Sequence, residues 1–238
     1  EVTFVAVVND PVTDSKMTLV APPTYAVVDP ALAMGLPAFP TAITGLDALS
    51  HATEALSTKG CTYHTELLAY ESIKLVNEWL PKACADTTAQ EPREYMSLAS
   101  NFAGIAFNEA NVNVGHATAH MIGHLYHIPH GLACAWVNPA SIELMGKYFP
   151  EKVKHMAPYF GVTCGCEGKD LAKAVADANR KLMKTLGIPT LAEKGITREQ
   201  VVALAESIQG EALTKFYEYE LSVEEVKDFL ISVYDNYQ

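Results

Sequence analysis

The sequence predicts a mainly α-helical protein with a short β-rich segment in front of the helices. Two observations support this fold class: residues 1–39 carry Val-, Thr- and Tyr-rich runs broken by prolines, and the apolar residues after position 40 recur at helical spacing. We therefore predict two parts, a β-rich segment over residues 1–39 and a helical domain over residues 40–238. The helical part is long enough to bury a sizeable core.

Composition and charge narrow the class of protein. Of the 238 residues, 49% are hydrophobic and 19% are charged, which is typical of globular proteins. The formal net charge of −11 argues against binding to nucleic acid or to an anionic membrane surface, because both attract basic patches. No apolar run approaches the roughly 20 residues that cross a bilayer, and the opening "EVTFVAVVNDPVTDSK" lacks the pattern of a secretory signal. We expect a cytoplasmic protein.

The β-rich segment contains two regions that favour short strands, "VTFVAVVND" and "KMTLVAPPTYAVVDP". β-branched and aromatic residues favour strands, whereas the Asn-Asp-Pro, Pro-Pro and Asp-Pro sequences favour turns. We expect short strands that are interrupted at these turn signals.

The stretch "TGLDALSHATEAL", residues 44–56, predicts a helix with two polar groups on one face. Asp47 and His51 stand four residues apart, so a helix presents a carboxylate oxygen and an imidazole nitrogen side by side. Such a pair is more often a hydrogen-bonded surface pair than a metal site. The neighbouring Leu and Ala residues, however, leave both groups in apolar surroundings, where buried polar groups need partners and a metal ion would supply one.

Further helices follow from apolar periodicity and from capping signals. Residues 65–80 form one helical pattern, and Pro92 precedes a second that runs to Ile105. Later helices are expected near Asp170, after Thr197 and after Ser222. The last two begin with the Ser/Thr-x-x-Glu/Gln spacing of capping boxes, over residues 197–200 and 222–225.

A histidine cluster lies inside the helical part, in "HATAHMIGHLYHIPHG". If residues 114–126 form a helix, four of its histidines line roughly one face. Pro129 then ends the helix, and Gly131 permits a sharp turn that brings the fifth histidine back toward it. A single histidine is more often solvated than a ligand, but five together favour a divalent metal. The five are His116, His120, His124, His127 and His130.

The cysteines give no disulfide framework. Five cysteines form an odd, widely spaced set, which differs from the even pattern of small secreted domains. Only Cys164 and Cys166 lie close together, and one such pair makes a poor zinc site. We expect reduced thiols.

Three segments together resemble a known family. "DPALAMGLPAFPTAITGLDALSHATEAL", "REYMSLASNFAGIAF" and "GHATAHMIGHLYHIPHG" are similar to the metal-binding C-terminal domain of the iron-containing (group III) alcohol dehydrogenases, which have the dehydroquinate synthase-like fold. The Asp-x-x-x-His element and the His-x-x-x-His element followed by Pro-His-Gly occur in that family's order and spacing. The resemblance implies Fe²⁺, or Zn²⁺ as the alternative, on four residues, and a further histidine close to the nicotinamide and substrate. By motif position, the metal ligands are Asp47, His51, His116 and His130, and the further histidine is His120.

Two departures from the family pattern stand out. No Gly-Gly-Gly-Ser loop and no GxGxxG occurs, so the chain resembles a family member without most of its nucleotide-binding domain, and residues 1–39 resemble the end of that domain. In addition, "AFNEANVNVGH" carries Glu109, Asn113 and Gly115 where the family more often has other residues. Glu109 is either a solvated charge, which we favour, or a carboxylate near the substrate cleft.

Two functions from different classes remain open. The first is a metal-dependent alcohol dehydrogenase, or its catalytic half, that interconverts a short primary alcohol and its aldehyde with NAD or NADP. The second is a non-redox, metal-binding helical module that is degenerate or depends on a partner chain. Metal-assisted hydrolysis is disfavoured, because no HExxH motif is present. For either function we expect a homo-oligomer.

Overall fold

The computed structural model describes residues 2–10 and 15–238 and begins with a two-stranded antiparallel hairpin. Strand β1 (Val5–Asp10) pairs with β2 (Ser15–Val20), with Val5 opposite Val20. The two predicted strand regions are confirmed there, while the turn at Pro11 lies outside the described residues. The region after Val20 carries no further strand up to Asp29, which caps a 3₁₀ helix over Pro30–Ala33 by accepting a hydrogen bond from the Ala31 amide.

The remainder of the described chain is mainly helical. None of the described helices is both long enough and apolar enough to span a bilayer. Short 3₁₀ helices cover Ala157–Phe160, Ala192–Lys194 and Thr214–Phe216. The α-helices are α1 (Ala38–Ala55), α2 (Tyr63–Ala85), α3 (Gln90–Ala110), α4 (Val114–Tyr126), α5 (His130–Tyr148), α6 (Pro150–Met156), α7 (Gly168–Thr185), α8 (Arg198–Val202), α9 (Ala205–Gly210) and α10 (Val223–Asp235).

The helices predicted from periodicity and capping are confirmed. Helix α4 occupies the predicted residues 114–126, and α2, α3 and α7 extend a few residues beyond the predicted patterns. Both predicted capping boxes are present: Thr197 and Ser222 each accept the amide hydrogen of the third following residue. Local hydrogen bonding therefore fixes where α8 and α10 begin.

Helices α1 and α5 form the centre of the core. Helix α1 packs against α2, α3 and α5, and α5 also packs against α4, α7 and α10. A helix that is surrounded in this way has to be apolar on nearly all sides, and residues 131–142 of α5 are all buried. Polar side chains in the middle of α1 and α5 are therefore close to the hydrophobic core.

The predicted turn at Gly131 is wrong, because this residue lies inside α5. The reversal is made instead by His127, which adopts a left-handed backbone conformation with φ of 53° at the end of α4. Gly131 has a packing role: a Cβ atom there would lie 2.4 Å from the carbonyl oxygen of Ile43 in α1. The missing side chain lets α5 approach α1 closely, which places His130 beside Asp47.

The expectation of five reduced cysteines is wrong for one pair. Cys164 and Cys166 are joined by a disulfide in the loop before α7, where their Cα atoms are 5.3 Å apart, within the usual range for such bonds. Cys61, Cys84 and Cys134 are free thiols, and Cys134 is buried.

Candidate metal centre

Three helices bring one carboxylate and three imidazoles together. Asp47 Oδ1 of α1 lies 3.5 Å from His51 Nδ1, 3.5 Å from His116 Nε2 of α4 and 3.6 Å from His130 Nε2 of α5. The His51 ring stacks on Phe107 of α3, with ring centroids 4.2 Å apart. The structure thus gathers all four residues to which the resemblance assigns metal ligation, while their role as ligands stays a prediction.

One carboxylate oxygen of Asp47 has no hydrogen-bond partner among the described residues. This atom, Oδ1, is buried. Burying a polar oxygen without a partner is costly, and a cation would remove that cost. A tetrahedral ion with bonds of about 2.1 Å holds its ligand atoms about 3.4 Å apart. The separations of 3.5 to 3.6 Å from Asp47 Oδ1 to each imidazole fit a divalent metal. The described ligand atoms that all lie within 4.8 Å of one another are, however, those of Asp47, His116, His130 and Cys134, without His51.

The electrostatics of the cluster suit a cation. Burial raises the pKa of Asp47, but the imidazoles of His51, His116 and His130 outweigh it and hold that pKa well below its ordinary value. Burial lowers the pKa of His51 to about 4, so its ring is neutral near pH 7. An ionised carboxylate and a neutral imidazole are the protonation states in which these groups bind metals.

His116 is the most buried residue of the cluster. Its Nδ1 lies 2.7 Å from Glu54 Oε1, while Glu54 Oε2 accepts the backbone N–H groups of Asn113 at 2.7 Å and of His116 at 3.1 Å. An Nδ1–H that donates to Glu54 leaves the Nε2 lone pair directed at Asp47. Burial raises the pKa of Glu54, but His116 outweighs it and lowers this pKa overall. Glu54 was not predicted as a site residue from the sequence, although an acid in the apolar run "HATEAL" was a signal.

The protonation of His116 couples metal binding to pH. Burial lowers the pKa of His116, but its contacts with Cys134, Glu54 and Asp47 outweigh burial and raise it well above its ordinary value. A divalent ion at Nε2 has to displace a proton from this ring, so metal binding is expected to tighten as the pH rises.

Two of the unusual residues around the start of α4 support this arrangement. A Cβ at Gly115 would lie 2.4 Å from Glu54 Oε1, so a glycine is required where Glu54 passes α4. Asn113 is buried and donates from Nδ2 to the carbonyl oxygen of Glu54 at 3.1 Å. Glu109 is exposed and its Oε2 lies 3.4 Å from His64 Nδ1, which agrees with a solvated charge.

A buried thiol also reaches the cluster. Cys134 lies one helical turn after His130 on α5, and its Sγ is 3.5 Å from His130 Nε2 and 3.8 Å from His116 Nε2. The ligand atoms of Asp47, His116, His130 and Cys134 all lie within 4.8 Å of one another. Burial raises the pKa of the Cys134 thiol to about 12. Cys134 was predicted only to be a reduced thiol, although its spacing of four from His130 was a signal.

The other histidines differ in their distance from the centre. His120 is partly buried, and its ring centroid lies 5.2 Å from that of His130 and 6.0 Å from that of His116. His124 and His127 are exposed, at the end of α4 and in the turn that follows it. The structure therefore places His120 next to the centre, whereas the two exposed rings lie at the surface.

A cleft of about 540 Å³ opens beside Asp47 and His51. It lies between α1, α3 and the segment that follows the hairpin, and its lining includes Phe107, Asn101 and Ser97. The walls combine polar and apolar side chains in similar proportion, and a concave space of this size next to a candidate metal position can take a small organic ligand. Fold and geometry together define the class as a helical domain with a candidate metal-binding group.

Comparison with known proteins identifies the family. Residues 41–234 match the Fe-containing alcohol dehydrogenase family, C-terminal. The chain belongs to this family, which confirms the resemblance and the predicted fold class.

Individual relatives show the extent of the similarity. The chain is 37% identical over 219 residues to an NAD-dependent methanol dehydrogenase of Bacillus methanolicus, covering 87% of this chain and 56% of that protein. It is 34% identical over 242 residues to an NADPH-dependent butanol dehydrogenase of Clostridium saccharobutylicum, covering 98% of this chain and 62% of that protein. A solved 1,3-propanediol oxidoreductase superposes with a TM-score of 0.88 at 32% identity, covering 98% of this chain and 62% of the other. The chain thus spans little more than half the length of these relatives.

Proposed function

We propose that this chain is the metal-binding catalytic half of an NAD(P)-dependent, iron-type alcohol dehydrogenase. The observation that supports this function most directly is the set of three imidazole nitrogens 3.5 to 3.6 Å from Asp47 Oδ1, an oxygen to which no described residue donates a hydrogen bond. Among the relatives are a methanol dehydrogenase and a butanol dehydrogenase. The proposed reaction interconverts a short primary alcohol and its aldehyde.

The proposed metal ligands are Asp47, His51, His116 and His130. Imidazole and carboxylate ligands suit Fe²⁺ and also Zn²⁺. When bound, such an ion polarises the alcohol or carbonyl oxygen as a Lewis acid. Glu54 holds the His116 ring with Nε2 toward Asp47, and Phe107 holds the His51 ring by stacking. Because these contacts already orient the His116 and His51 rings, metal binding does not have to order them.

His120 is proposed to act next to the substrate and nicotinamide. It lies one turn after His116 and is partly exposed, so it connects the centre with solvent. In alcohol oxidation, His120 would accept the proton that leaves the hydroxyl group and pass it to water. Because its ring is not needed to hold the metal, His120→Ala is expected to keep the metal and to lower alcohol turnover.

The dinucleotide needs groups that this sequence does not contain. NAD or NADP would accept the hydride, since the metal site alone cannot take up two electrons and a hydrogen. The sequence has no Gly-Gly-Gly-Ser loop for the pyrophosphate. We propose that a phosphate-binding loop outside this sequence completes the site, and that the subunits form a homo-oligomer in the cytoplasm. Sedimentation velocity tests the oligomer, and a clean monomer would argue against it.

The proposed function is tested by anaerobic metal analysis together with a fluorescence titration by NADH and NADPH. One equivalent of iron or zinc with micromolar nucleotide binding supports a dehydrogenase that retains its cofactor site. Metal without nucleotide binding means an orphaned catalytic half, whose reaction can be assigned only once the other half is found, and it is also the result that the second candidate, a metal-binding module that needs a partner, predicts. The observation behind that candidate is that the chain covers only 56% of the methanol dehydrogenase and 62% of the butanol dehydrogenase. Absence of metal would contradict both.

A further inference from the structure

We propose that Cys134 is a sulfur ligand of the metal centre and that it biases the centre toward borderline ions such as Zn²⁺ over hard ions such as Mn²⁺. The proposal rests on the proposed metal-binding function and adds a donor that the four-residue set of Asp47, His51, His116 and His130 does not include. It concerns which metal the site selects, because thiolate sulfur favours soft and borderline ions over the hard divalent ions.

The first support is the geometry of the thiol. In a tetrahedral zinc site with Zn–N bonds of about 2.1 Å and Zn–S bonds of about 2.3 Å, sulfur and nitrogen lie about 3.6 Å apart. Cys134 Sγ lies 3.5 Å from His130 Nε2 and 3.8 Å from His116 Nε2. The same two nitrogens lie 3.6 Å and 3.5 Å from Asp47 Oδ1. The sulfur therefore lies close to both nitrogens, and because Sγ is also 3.8 Å from His130 Nδ1, the His130 ring has to turn before its Nε2 and the sulfur can share one ion.

The second support is independent of the cysteine. Asp47 Oδ1 is buried without a hydrogen-bond partner in the described part of the chain, so only the nearby imidazoles, or a bound cation, can compensate its charge. His51 Nδ1 lies 3.5 Å from Asp47 Oδ1. The set of described ligand atoms that lie within 4.8 Å of one another nevertheless contains Cys134 and omits His51. The Cys134 sulfur thus lies at the edge of the space next to Asp47 Oδ1.

The third support is the way in which α5 holds the thiol. His130 and Cys134 are one turn apart and point to the same side of α5, whose residues from Gly131 to Ile142 are buried. The side chain cannot turn to solvent, because its surroundings are packed. A bound divalent cation deprotonates a coordinating thiol outright. The thiolate and the Asp47 carboxylate would then balance the two positive charges of the ion.

X-ray absorption of the zinc-loaded 238-residue chain tests the proposal. A sulfur shell at about 2.3 Å beside nitrogen and oxygen at about 2.0 to 2.1 Å is expected. The cobalt-loaded chain should show a sulfur-to-cobalt charge-transfer band in the near ultraviolet. Both signals should vanish in Cys134→Ser and persist in Cys84→Ser, a matched change at a free thiol whose Sγ instead contacts the Ala38 carbonyl oxygen at 3.6 Å.

Metal competition provides a second measurement. In Cys134→Ser, the Kd for Zn²⁺ should rise by more than about tenfold, since even the loss of a residue that only orients a ligand costs that much. The Kd for Mn²⁺ should change far less, because manganese prefers oxygen and nitrogen. Equal weakening of both metals would contradict the sulfur ligand.

The outcomes separate this proposal from the proposed function. One equivalent of metal with nitrogen and oxygen ligands only, in the unmodified chain, would overturn the role of Cys134 and leave the four-residue centre standing. A sulfur shell that persists in Cys134→Ser would also overturn it. A chain that binds no metal would overturn both. The spectrum of the unmodified chain decides the matter even if the variant fails to fold.

Discussion

At the scale of single residues, the carboxylate of Glu54 decides which nitrogen of His116 faces Asp47. It is one of the few buried acids in the described chain, and it is fully used by the His116 ring and by two backbone N–H groups of the chain around the start of α4. A partner of this kind orients a metal ligand and increases its basicity. Its effect can be measured without an activity assay.

Replacing Glu54 by Gln should weaken metal binding while keeping the side chain's shape. The neutral amide no longer stabilises the Nδ1–H tautomer, so the Kd for metal should rise about 10- to 100-fold. Isothermal titration with Zn²⁺ measures this change. Glu71→Gln is the matched control, because Glu71 is an exposed acid of α2 that pairs with Lys74. An unchanged Kd in Glu54→Gln would show that Glu54 does not position His116.

At the scale of elements, the close crossing of α1 and α5 brings Asp47 and His130 together. Gly131 permits this crossing, because any side chain at that position meets the backbone of Ile43 rather than a flexible side chain. Backbone atoms cannot move aside locally, so the whole helix would have to shift. His130, the neighbour of Gly131, would shift with it.

Gly131→Ala should therefore lower stability and metal affinity together. Overpacking of a core typically costs about 1 to 3 kcal/mol, and this free energy of unfolding can be measured with urea. Gly210→Ala is the matched control, since a Cβ at the end of α9 would meet nothing within 4 Å. Equal stability of the two variants would mean that α5 tolerates a side chain at this crossing.

The start of α10 predicts a pH dependence of stability. Hydrogen bonds from Lys147, Tyr148 and Ser222 lower the pKa of Glu225 from 4.5 to about 2. A lowered folded-state pKa contributes stability above the unfolded value, and this contribution is lost as the pH falls from about 4.5 toward 2. Thermal unfolding of Glu225→Gln should accordingly show a smaller decrease in Tm over this range than the unmodified chain.

Glu224→Gln is the control for that experiment. Glu224 is a neighbouring acid, exposed on 74% of its side chain, with its Oε2 3.6 Å from Lys227 Nζ. If both variants show the same pH dependence of Tm, the contacts of Glu225 with α5 contribute nothing to stability. A difference confined to Glu225→Gln supports the link between α10 and α5.

At the scale of the whole molecule, the segment between the hairpin and α1 carries large apolar side chains at the surface. Tyr25, Val27 and Leu32 are exposed by 87%, 78% and 85%, respectively. The chain covers 56% of the methanol dehydrogenase and 62% of the butanol dehydrogenase. These three exposed side chains leave much apolar surface of this short segment in contact with solvent.

The sequence allowed much of this molecule to be predicted, and the errors have physical causes. Periodicity gave α4 its bounds, and the spacing of Asp47 and His51 predicted two groups on one helix face, because both depend on local geometry. Gly131 was misassigned because a glycine after proline signals a turn locally, whereas its actual role depends on the distance to α1. Glu54 was missed because its contact with His116 joins residues far apart in the chain. Cys134 was missed although it lies four residues after His130, because only the fold brings it to His116 as well.

The most direct test of the account is the metal content of three single-histidine variants beside the unmodified chain, all loaded anaerobically with Fe²⁺ or Zn²⁺ and then desalted. The unmodified chain and His124→Ala, an exposed control, should retain one equivalent. His116→Ala and His130→Ala should retain none, because the remaining ligands cannot replace the lost bond. Wild-type metal affinity in His130→Ala would contradict the ligand set, and with it the metal centre at which α1, α4 and α5 meet.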